Sequence, residues 1–597
     1  MPTLDFKGKS LVYSHHLTVP SRTLEPNARK SLPPKGSKPS LDDNLHALKA
    51  LMPRYAGRVN CIYIDPPYNT GNEGWIYNDN VNSPMMQEWL KDKSPVDGED
   101  LERHDKWLCM MWPRLQLLRE LLAEDGVIFV SIDDNEQHRL RMVMDEIFGE
   151  ENFVANIAWQ KRTSPDFRLV LGDGHDNVLS YSKNAEQFRE RTNLLSLSPR
   201  QMKEYKNPDN DPRGPWVSRD FSAQGYRPNQ MYKIVTPAGA EYYPPEGCCW
   251  KNVEDVFLRQ LKEGRFWFGE DGKGVPRRKN YLSEAKGRQS WTWWPNDEVG
   301  HTQEAKREIM AFLGKSEIFE TPKPVRLIQR MLQIATNPGD IVLDSFAGSG
   351  TTAHAVLALN REDDGNRKFI LVECEDYADT ITAERVRRVI NNSKNLRLLK
   401  PQETELLRET LTWSKLTKAA DLVAKVRDIE KLKSADFDKV TKQIKDNALV
   451  VAGEKKVKEE AEGLGGSFTY CTLGDEIIPE KMLAGENLPD YETLARHLVY
   501  TATGQAPDKI RNTRDKDGFF YETSDRLFYL IYEPNLAFLR SVDSALNSDR
   551  AERIAKQSKK KQKTALVFAT HKFMGQKELT QMDITFCGLP YEIGMRI

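Results

Sequence analysis

The sequence predicts an α/β fold: a doubly wound, mostly parallel sheet with helices on both faces, split by an insertion and followed by an α+β region. Three observations predict it. Short apolar runs bounded by turn residues recur, as buried parallel strands require. Segments with apolar residues at helical spacing separate them. One stretch, residues 185–310, breaks the alternation with interleaved aromatic and basic residues and frequent loop signals.

Residues 1–40 carry several prolines and lysines with little periodicity and read as an extended arm laid on another surface. LHALKAL, Leu45 to Leu51, reads as a short amphipathic helix. VNCIYI, Val59 to Ile64, is an apolar run stopped by two prolines, hence a buried parallel strand. Leu108, Met111, Leu115 and Leu118 keep helical spacing between Lys106 and Leu122. Gly126 to Asp133 (GVIFVSID) is a second strand, Glu136 to Phe148 a helix, and Val178 to Tyr181 a further strand. Beyond the insertion, VRLIQRMLQIAT is a helix and GDIVLD a strand that runs through a glycine-rich turn into the helix TTAHAVLAL. KFILVE, Lys368 to Glu373, is the next strand, and AERVRRVINNSKNL the next helix. Residues 401–464 are highly charged and read as helical; 466–597 mix strands (FFYET, RLFYLIYE, TALVFAT) with helices. SKKKQK, Ser558 to Lys563, reads as a solvated turn, and His15-His16 as a surface pair. The expected division is an arm (1–40), one half of the core (41–184), an insertion (185–310), the other half of the core (311–400) and a C-terminal domain (401–597).

Composition removes several classes. Lys+Arg 87 against Asp+Glu 88 gives a net charge of −1, which excludes a uniformly basic coat but not a local basic face. Gly 36 and Pro 32 are too few for collagen-like or low-complexity sequence. No apolar window reaches the ~18 residues of a spanning helix. The first residues lack an apolar core followed by a small-residue cleavage site. The seven cysteines are scattered without a CxxC, against both a disulfide scaffold and a cysteine zinc site, and no His/Asp/Glu ligand cluster suggests another metal. A soluble, reduced, cytoplasmic protein is expected. No GxxxxGK[ST] loop is present, so helicase or nuclease work would need another chain.

Asp65-Pro66-Pro67-Tyr68 directly follows a buried strand, which places it at the carboxyl end of the sheet, where such folds bind ligands. The exocyclic amine of a nucleobase is a poor nucleophile because its lone pair is delocalised into the ring. Two acceptors aimed at its N–H bonds favour a more tetrahedral nitrogen. Asp65 offers a carboxylate, Pro66 a carbonyl stiffened by the Pro-Pro segment, and Tyr68 a ring for stacking. Positive charge developing on the nitrogen would strengthen these contacts in the transition state. A base within a duplex would have to be flipped out to reach them.

The second motif, Asp344-Ser345-Phe346-Ala347-Gly348-Ser349-Gly350-Thr351-Thr352, links a strand to a helix. Gly348 and Gly350 let the backbone approach a ligand. Ala353 stands where a dinucleotide fingerprint has its third glycine. Glu373 closes the next strand, where an acid can bind ribose hydroxyls. The combination fits a nucleoside cofactor without a pyrophosphate, such as S-adenosylmethionine.

On YIDPPYNTG (Tyr63 to Gly71) and DSFAGSGTT (Asp344 to Thr352), the sequence resembles the DNA amino-methyltransferases. The catalytic motif precedes the cofactor motif, the order of the β class. The long insertion and C-terminal extension make the chain similar to the Mod subunits of type III restriction–modification systems. The resemblance implies a Rossmann-like, S-adenosylmethionine-dependent core with an inserted target-recognition domain, methylating adenine N6 in a short DNA sequence. It implies Asp65, Pro66 and Tyr68 as the catalytic set. It implies Asp43, Thr321, Lys323, Asp344, Phe346, Gly348, Gly350 and Glu373 at the cofactor. Asn44 belongs to the same segment as Asp43, although Asp42 stands where the family has glycine. DNA would meet Arg213, Arg219, Arg227, Lys233, Arg277 and Arg278, with Arg265 and Lys279 as further cations and Trp216, Tyr226, Trp267 and Trp293 as stacking or wedging rings. A homodimer and a helicase–nuclease restriction subunit are the implied partners, with dimer or subunit contacts in residues 401–597.

Other readings stay open on the residues alone. Asp-Pro-Pro-Tyr serves cytosine N4 as well as adenine N6. A DNA-binding specificity subunit without catalysis would keep the basic insertion, but the intact Asp65 and Tyr68 oppose it. The missing third glycine opposes an NAD-dependent oxidoreductase. His175 and Asp176, ahead of a strand, suit a structural or base-pocket role.

Overall fold

The computed structural model describes residues 3–32, 44–71, 102–165, 170–313, 319, 321–391, 402–433, 436–437, 439–445, 448–455, 463–477, 488–511 and 515–589. The chain forms two compact units, 1–192 with 292–597, and 193–291. The second lies within the stretch singled out by its aromatic and basic residues.

The first unit is built on a seven-stranded sheet. In chain order its strands are β1 (Val59–Ile64), β2 (Leu122–Ile132), β3 (Phe153–Gln160), β4 (His175–Ser182), β5 (Trp293–Trp294), β6 (Ile341–Asp344) and β7 (Lys368–Leu371). Their order across the sheet is β5-β3-β4-β2-β1-β6-β7. All run parallel except β4, which is antiparallel to both neighbours. The Val178–Tyr181 run is therefore a reversed strand rather than a parallel one. Reversal brings the start of β4 to the edge where β1, β2 and β6 end.

Alternation along the strands divides the core. Ile62, Ile64, Ile128, Val130 and Leu179 face one layer with Leu48 and Leu51 of α1 (Asn44–Tyr55), Leu115 and Leu118 of α2 (Arg103–Leu121), and Leu140 and Met144 of α3 (Gln137–Phe148). Cys61, Tyr63, Phe129 and Val178 face the other layer. There they meet Leu327, Ile328 and Met331 of α4 (Val325–Ala335), Ala353 and Val356 of α5 (Thr351–Asp363), and Val386 and Val389 of α6 (Glu384–Ile390). Helices on both faces make this the doubly wound arrangement expected.

Several expectations are corrected. Within the expected extended arm, residues 22–32 form a strand paired antiparallel with Phe468–Glu476. His15 and His16 are buried, on a helical turn packed against α2. The charged region 402–455 holds a helix (Ala419–Lys433) beside a three-stranded antiparallel sheet, because strand partners distant in sequence override local propensity. Lys559, Lys560 and Lys561 are solvated, but on the last turn of helix Ser548–Lys561, where cations suit the helix dipole. The remaining C-terminal segments form a four-stranded sheet, 519–522, 526–530, 564–569 and 584–588. No described helix is long and apolar enough to cross a membrane.

The second unit has its own small aromatic core of Phe221, Trp250, Phe257, Phe266 and Phe268. Beside it Trp216–Asp220, Phe266–Trp267 and Arg277–Tyr281 form a three-stranded antiparallel sheet.

Candidate active site

The first loop leaves the sheet at Asp65, one residue past β1. Pro66 and Pro67 stop the ladder and stiffen the exit. Lys323, just ahead of α4, donates from Nζ to Asp65 Oδ2 at 2.5 Å, and the same ammonium lies 5.0 Å from the Tyr68 ring centroid. The other carboxylate oxygen, Asp65 Oδ1, is buried with no hydrogen-bond partner among the described residues, and so is the Tyr68 hydroxyl. Burial, and then the adjacent Asp65 carboxylate, push that phenol well above its ordinary range. Trp107 Nε1 donates to the Pro67 carbonyl at 2.7 Å. Asn69 has a left-handed backbone (φ 57°), and its amide donates to Glu136 Oε1 at 2.6 Å. Glu136 is fully buried, and His104 Nδ1 contacts the same oxygen. A buried carboxylate on the far side of the loop thus fixes its curvature.

The second loop joins β6 to α5. Asp344 Oδ1 accepts from Phe346 N at 3.0 Å, and Oδ2 from the Thr352 hydroxyl at 2.5 Å. Burial outweighs both bonds and pushes Asp344 up to about 7. Glu373 Oε2 accepts from Gly348 N at 2.6 Å, while Oε1 takes Cys374 N and Glu375 N at 2.9 and 3.1 Å. Burial pushes Glu373 up to about 7 as well. The Thr382 hydroxyl donates to the Gly348 carbonyl. Buried Arg385 donates to Ser349 Oγ at 3.0 Å and Thr351 Oγ1 at 2.8 Å. Gly348 has φ +50° and a Cβ there would stand 3.1 Å from Phe319 Cζ; at Gly350 (φ +76°) a Cβ would stand 3.0 Å from the Thr382 carbonyl. Only glycine holds both positions without strain. Phe319 meets Tyr377 edge-on at 5.6 Å, so two aromatic rings stand beside the turn.

Asp65, Pro66, Tyr68 and Lys323 thus meet at the carboxyl end of the sheet. One strand away the second loop brings together Asp344, Phe346, Gly348, Gly350 and Glu373. Lys323, expected at the cofactor, is engaged with Asp65 instead, and Thr321 is exposed. Asp43 lies outside the described residues. Its neighbour Asn44 is buried, donates to the Ser345 carbonyl at 3.2 Å and accepts from Arg114 Nε at 2.5 Å. Sequence reasoning missed Glu136, Asn69, Arg114, Phe319 and Arg385. Asn69 and Phe319 sit within a few residues of the motifs and could have been suspected; the others act from elements remote in sequence.

In the 193–291 unit most of the expected cations are neutralised. Arg213 is held bidentate by Asp211 at 3.0 and 2.9 Å, and its guanidinium lies 4.5 Å from the Tyr281 ring centroid. Lys279 is buried and donates to Asp211 at 2.9 Å and to Asp209. Arg213 first, with Lys279, holds Asp211 far below the usual carboxylate range. Arg265 is bidentate on Glu284, Arg277 pairs with Asp220 at 2.6 Å, and Lys233 pairs with Glu241 at 2.9 Å. Exposed Arg227 reaches Gln230 at 3.3 Å. Arg219 and Arg278 differ. They are direct cross-strand partners, so they share one face, and neither has an ion pair among the described residues. Arg278 Nε is buried without a partner. Trp216 is buried and packs against Trp267 at 5.5 Å, whereas Tyr226 is largely exposed. Trp293, half exposed, lies on β5 of the first unit.

The family model for N6/N4-type DNA methylases matches residues 59–384, from the first residue of β1 into α6. The StyLTI Mod subunit of a type III restriction–modification enzyme, from Salmonella typhimurium, is 37% identical over 383 residues, 58% of this chain and 56% of that one. The EcoPI Mod subunit of Escherichia phage P1 is 32% identical over 402 residues, 59% and 58% of the two chains. The type II methyltransferase M.KpnI of Klebsiella pneumoniae is 32% identical over 367 residues, covering 58% of this chain and 82% of that one. The chain thus spans little more than half the length of the Mod subunits it matches. Among solved structures, the PvuII cytosine-N4-specific DNA methyltransferase overlays 61% of this chain and 90% of its own at 12% identity, with a TM-score of 0.31. At that score the overlay carries no weight, and the assignment rests on the sequence matches. Covered over more than half its length by the family model, the chain belongs to the N6/N4 family of DNA methylases.

Proposed function

We propose that the chain is the modification subunit of a type III restriction–modification system and methylates adenine N6 in DNA from S-adenosylmethionine. One observation carries the reading: Asp65 Oδ1 and the Tyr68 hydroxyl are buried and, among the described residues, unpartnered on a strand-end loop. Buried polar groups are almost always satisfied, so unsatisfied ones at the ligand edge of a sheet point to a missing partner. An exocyclic amine supplies it, with two N–H donors for Asp65 Oδ1 and the Pro66 carbonyl and a ring for Tyr68. Lys323 keeps Oδ2 occupied, so Oδ1 is the oxygen left to accept.

The second loop fits the cofactor. Gly348 and Gly350 permit close approach, and Phe319 offers an aromatic face beside them. S-adenosylmethionine supplies an electrophilic methyl group. Phe346, Gly348 and Gly350 would hold it, with Thr321, at the mouth of α4, near its charged end. Asp344 and Glu373 act within the loop: their oxygens already take backbone and hydroxyl donors. Double-stranded DNA is the substrate, a second copy and a restriction subunit are the partners, and residues 193–291 recognise the target. Within that unit Arg219 and Arg278, which share one face, are the phosphate contacts; Arg213, Lys233, Arg265, Arg277 and Lys279 are committed to carboxylates. Substituting both by Ala should weaken binding alike on all sequences and flatten the dependence of log affinity on log salt by about 2; Arg213→Ala should cost stability without that change.

The test is expression in a host lacking adenine methylation, followed by sequencing of native DNA for modified bases. N6-methyladenine in one motif, lost on Asp65→Ala, is the expected result. N4-methylcytosine would move the target base and keep the chemistry. No modification, with normal folding and cofactor binding, would favour a DNA-binding specificity subunit.

A further inference from the structure

Asp176 stands outside the motifs, yet the sheet carries it to the same place. Tyr63 of β1 is level with Phe129 of β2, and Ser131, two residues on, is level with Val178 of β4. Residues level across a sheet share a face, and so do residues two apart along a strand. Asp65 therefore continues the face of Tyr63, and Asp176 the face of Val178. The Tyr63 hydroxyl and Ser131 Oγ join the two at 3.0 Å. Because β4 is reversed, its first residues lie at the same carboxyl edge as Asp65, with β2 between the two strands.

Asp176 is only 4% exposed. Lys161, one residue past β3, donates to its Oδ1 at 2.7 Å and also pairs with Asp173 at 2.6 Å. Burial pushes Asp176 up; Lys161 and then Lys323 pull it down, and Asp65 opposes them. Asp133, at the end of β2, also feels Asp176 and Lys161. Lys323 thus answers to two carboxylates, Asp65 by contact and Asp176 at longer range. A buried ion pair contributes little net stability, and apolar residues of similar volume often serve the fold as well. Its position at the reacting edge, coupled to Lys323, is what needs explaining.

We propose that the Asp176–Lys161 pair is a positioning element for amine methylation, balancing the charge of Lys323 so that Asp65 keeps Oδ1 available to the target amine. The inference rests on the amine-methylation reading. With Asp176 neutral, Lys161 keeps only the half-exposed Asp173, and its charge adds to that of Lys323 at the edge where Asp65 stands. Asp65 is then drawn toward the ammonium groups and becomes a weaker acceptor as positive charge develops on the amine.

The experiment measures methyl transfer by the full chain to unmethylated genomic DNA, with S-adenosylmethionine in excess, across pH 5.5–9. Asp176→Asn should lower kcat roughly 10- to 100-fold, leave cofactor KM within about threefold, and change the pH profile of kcat. That profile is read against the charged groups facing Asp176: Lys161, Asp173, Lys323, Asp65 and Asp133. Asp176→Asn combined with Lys161→Met removes one charge of each sign and should recover roughly tenfold of the loss. Unchanged kcat and pH profile in Asp176→Asn, or a double variant no better than the single one, overturns the proposal. Should Asp176→Asn fold poorly, Lys161→Met provides the same test: it should lower kcat and change the pH profile, and wild-type behaviour overturns the proposal. A wild-type chain that methylates no DNA removes the amine-methylation reading and this inference with it. An active wild type with a fully active Asp176→Asn removes only the inference.

Discussion

The two loops at the carboxyl edge solve opposite problems. The 344–352 loop is closed on itself: Asp344, Glu373, Thr382 and Arg385 meet its backbone and hydroxyl groups, and Ser345 Oγ is buried without a partner among the described residues. The 65–69 loop is closed from behind, by Trp107 on Pro67 and Glu136 on Asn69, and left open in front at Asp65 Oδ1 and the Tyr68 hydroxyl. Internal satisfaction makes a rigid cradle. Unsatisfied groups on a rigid support make a site whose partner is transient. On the proposed function, the loop that holds a ligand and the loop that acts on one are told apart by where their hydrogen bonds go.

Substitutions should break this contrast unequally. The largest effect is expected from Asp65→Ala, which removes the open acceptor; methyl incorporation into DNA should fall by at least about 10³-fold while cofactor binding survives. Cofactor binding lost in parallel would show that the two loops do not divide the work. Lys323→Met comes next. It leaves Asp65 buried without its ion pair, and kcat should drop roughly 10- to 100-fold, seen in single-turnover assays. Gly348→Ala attacks the closed loop instead. Strain at φ +50° and the Phe319 contact should weaken cofactor affinity by about tenfold in calorimetry, with a smaller change in the rate of the bound complex.

The smallest effect expected is on pH dependence. Burial raises both Asp344 and Glu373 to about 7 in the folded state, from the ordinary carboxylate range. Between the unfolded and folded values the native state holds more protons, so stability falls as pH rises. The contribution of the two acids is fully present below about pH 4 and lost as pH passes through about 7. Melting temperature should fall between pH 5 and 8 and the slope should shrink in Glu373→Gln; an unchanged slope would show that the closed loop tolerates its charges.

Much of this was legible from residue order. Val59 to Ile64 and Ile341 to Asp344 are apolar runs cut off by proline or glycine, and local sterics suffice to end a strand and expose the next residues. The aromatic and basic character of 185–310 set that stretch apart in the sequence, and residues 193–291 within it form a compact unit. The partners of the cations there were not legible. Arg213, Lys279 and Arg265 pair with Asp211, Asp209 and Glu284, and no spacing rule reports pairings made across a sheet. Buried His15-His16 and the strands of 402–455 escaped for the same reason.

By itself, then, the sequence determined the chemistry carried on the two loops and the strands that present them, because strand, turn and glycine conformation are decided within a few residues. Tertiary structure decided which charges meet. Lys323 reaches Asp65 across 258 residues, and Asp176 joins their face only because β4 runs backwards. A charge's partner depends on distance in space, and strand order and direction set that distance.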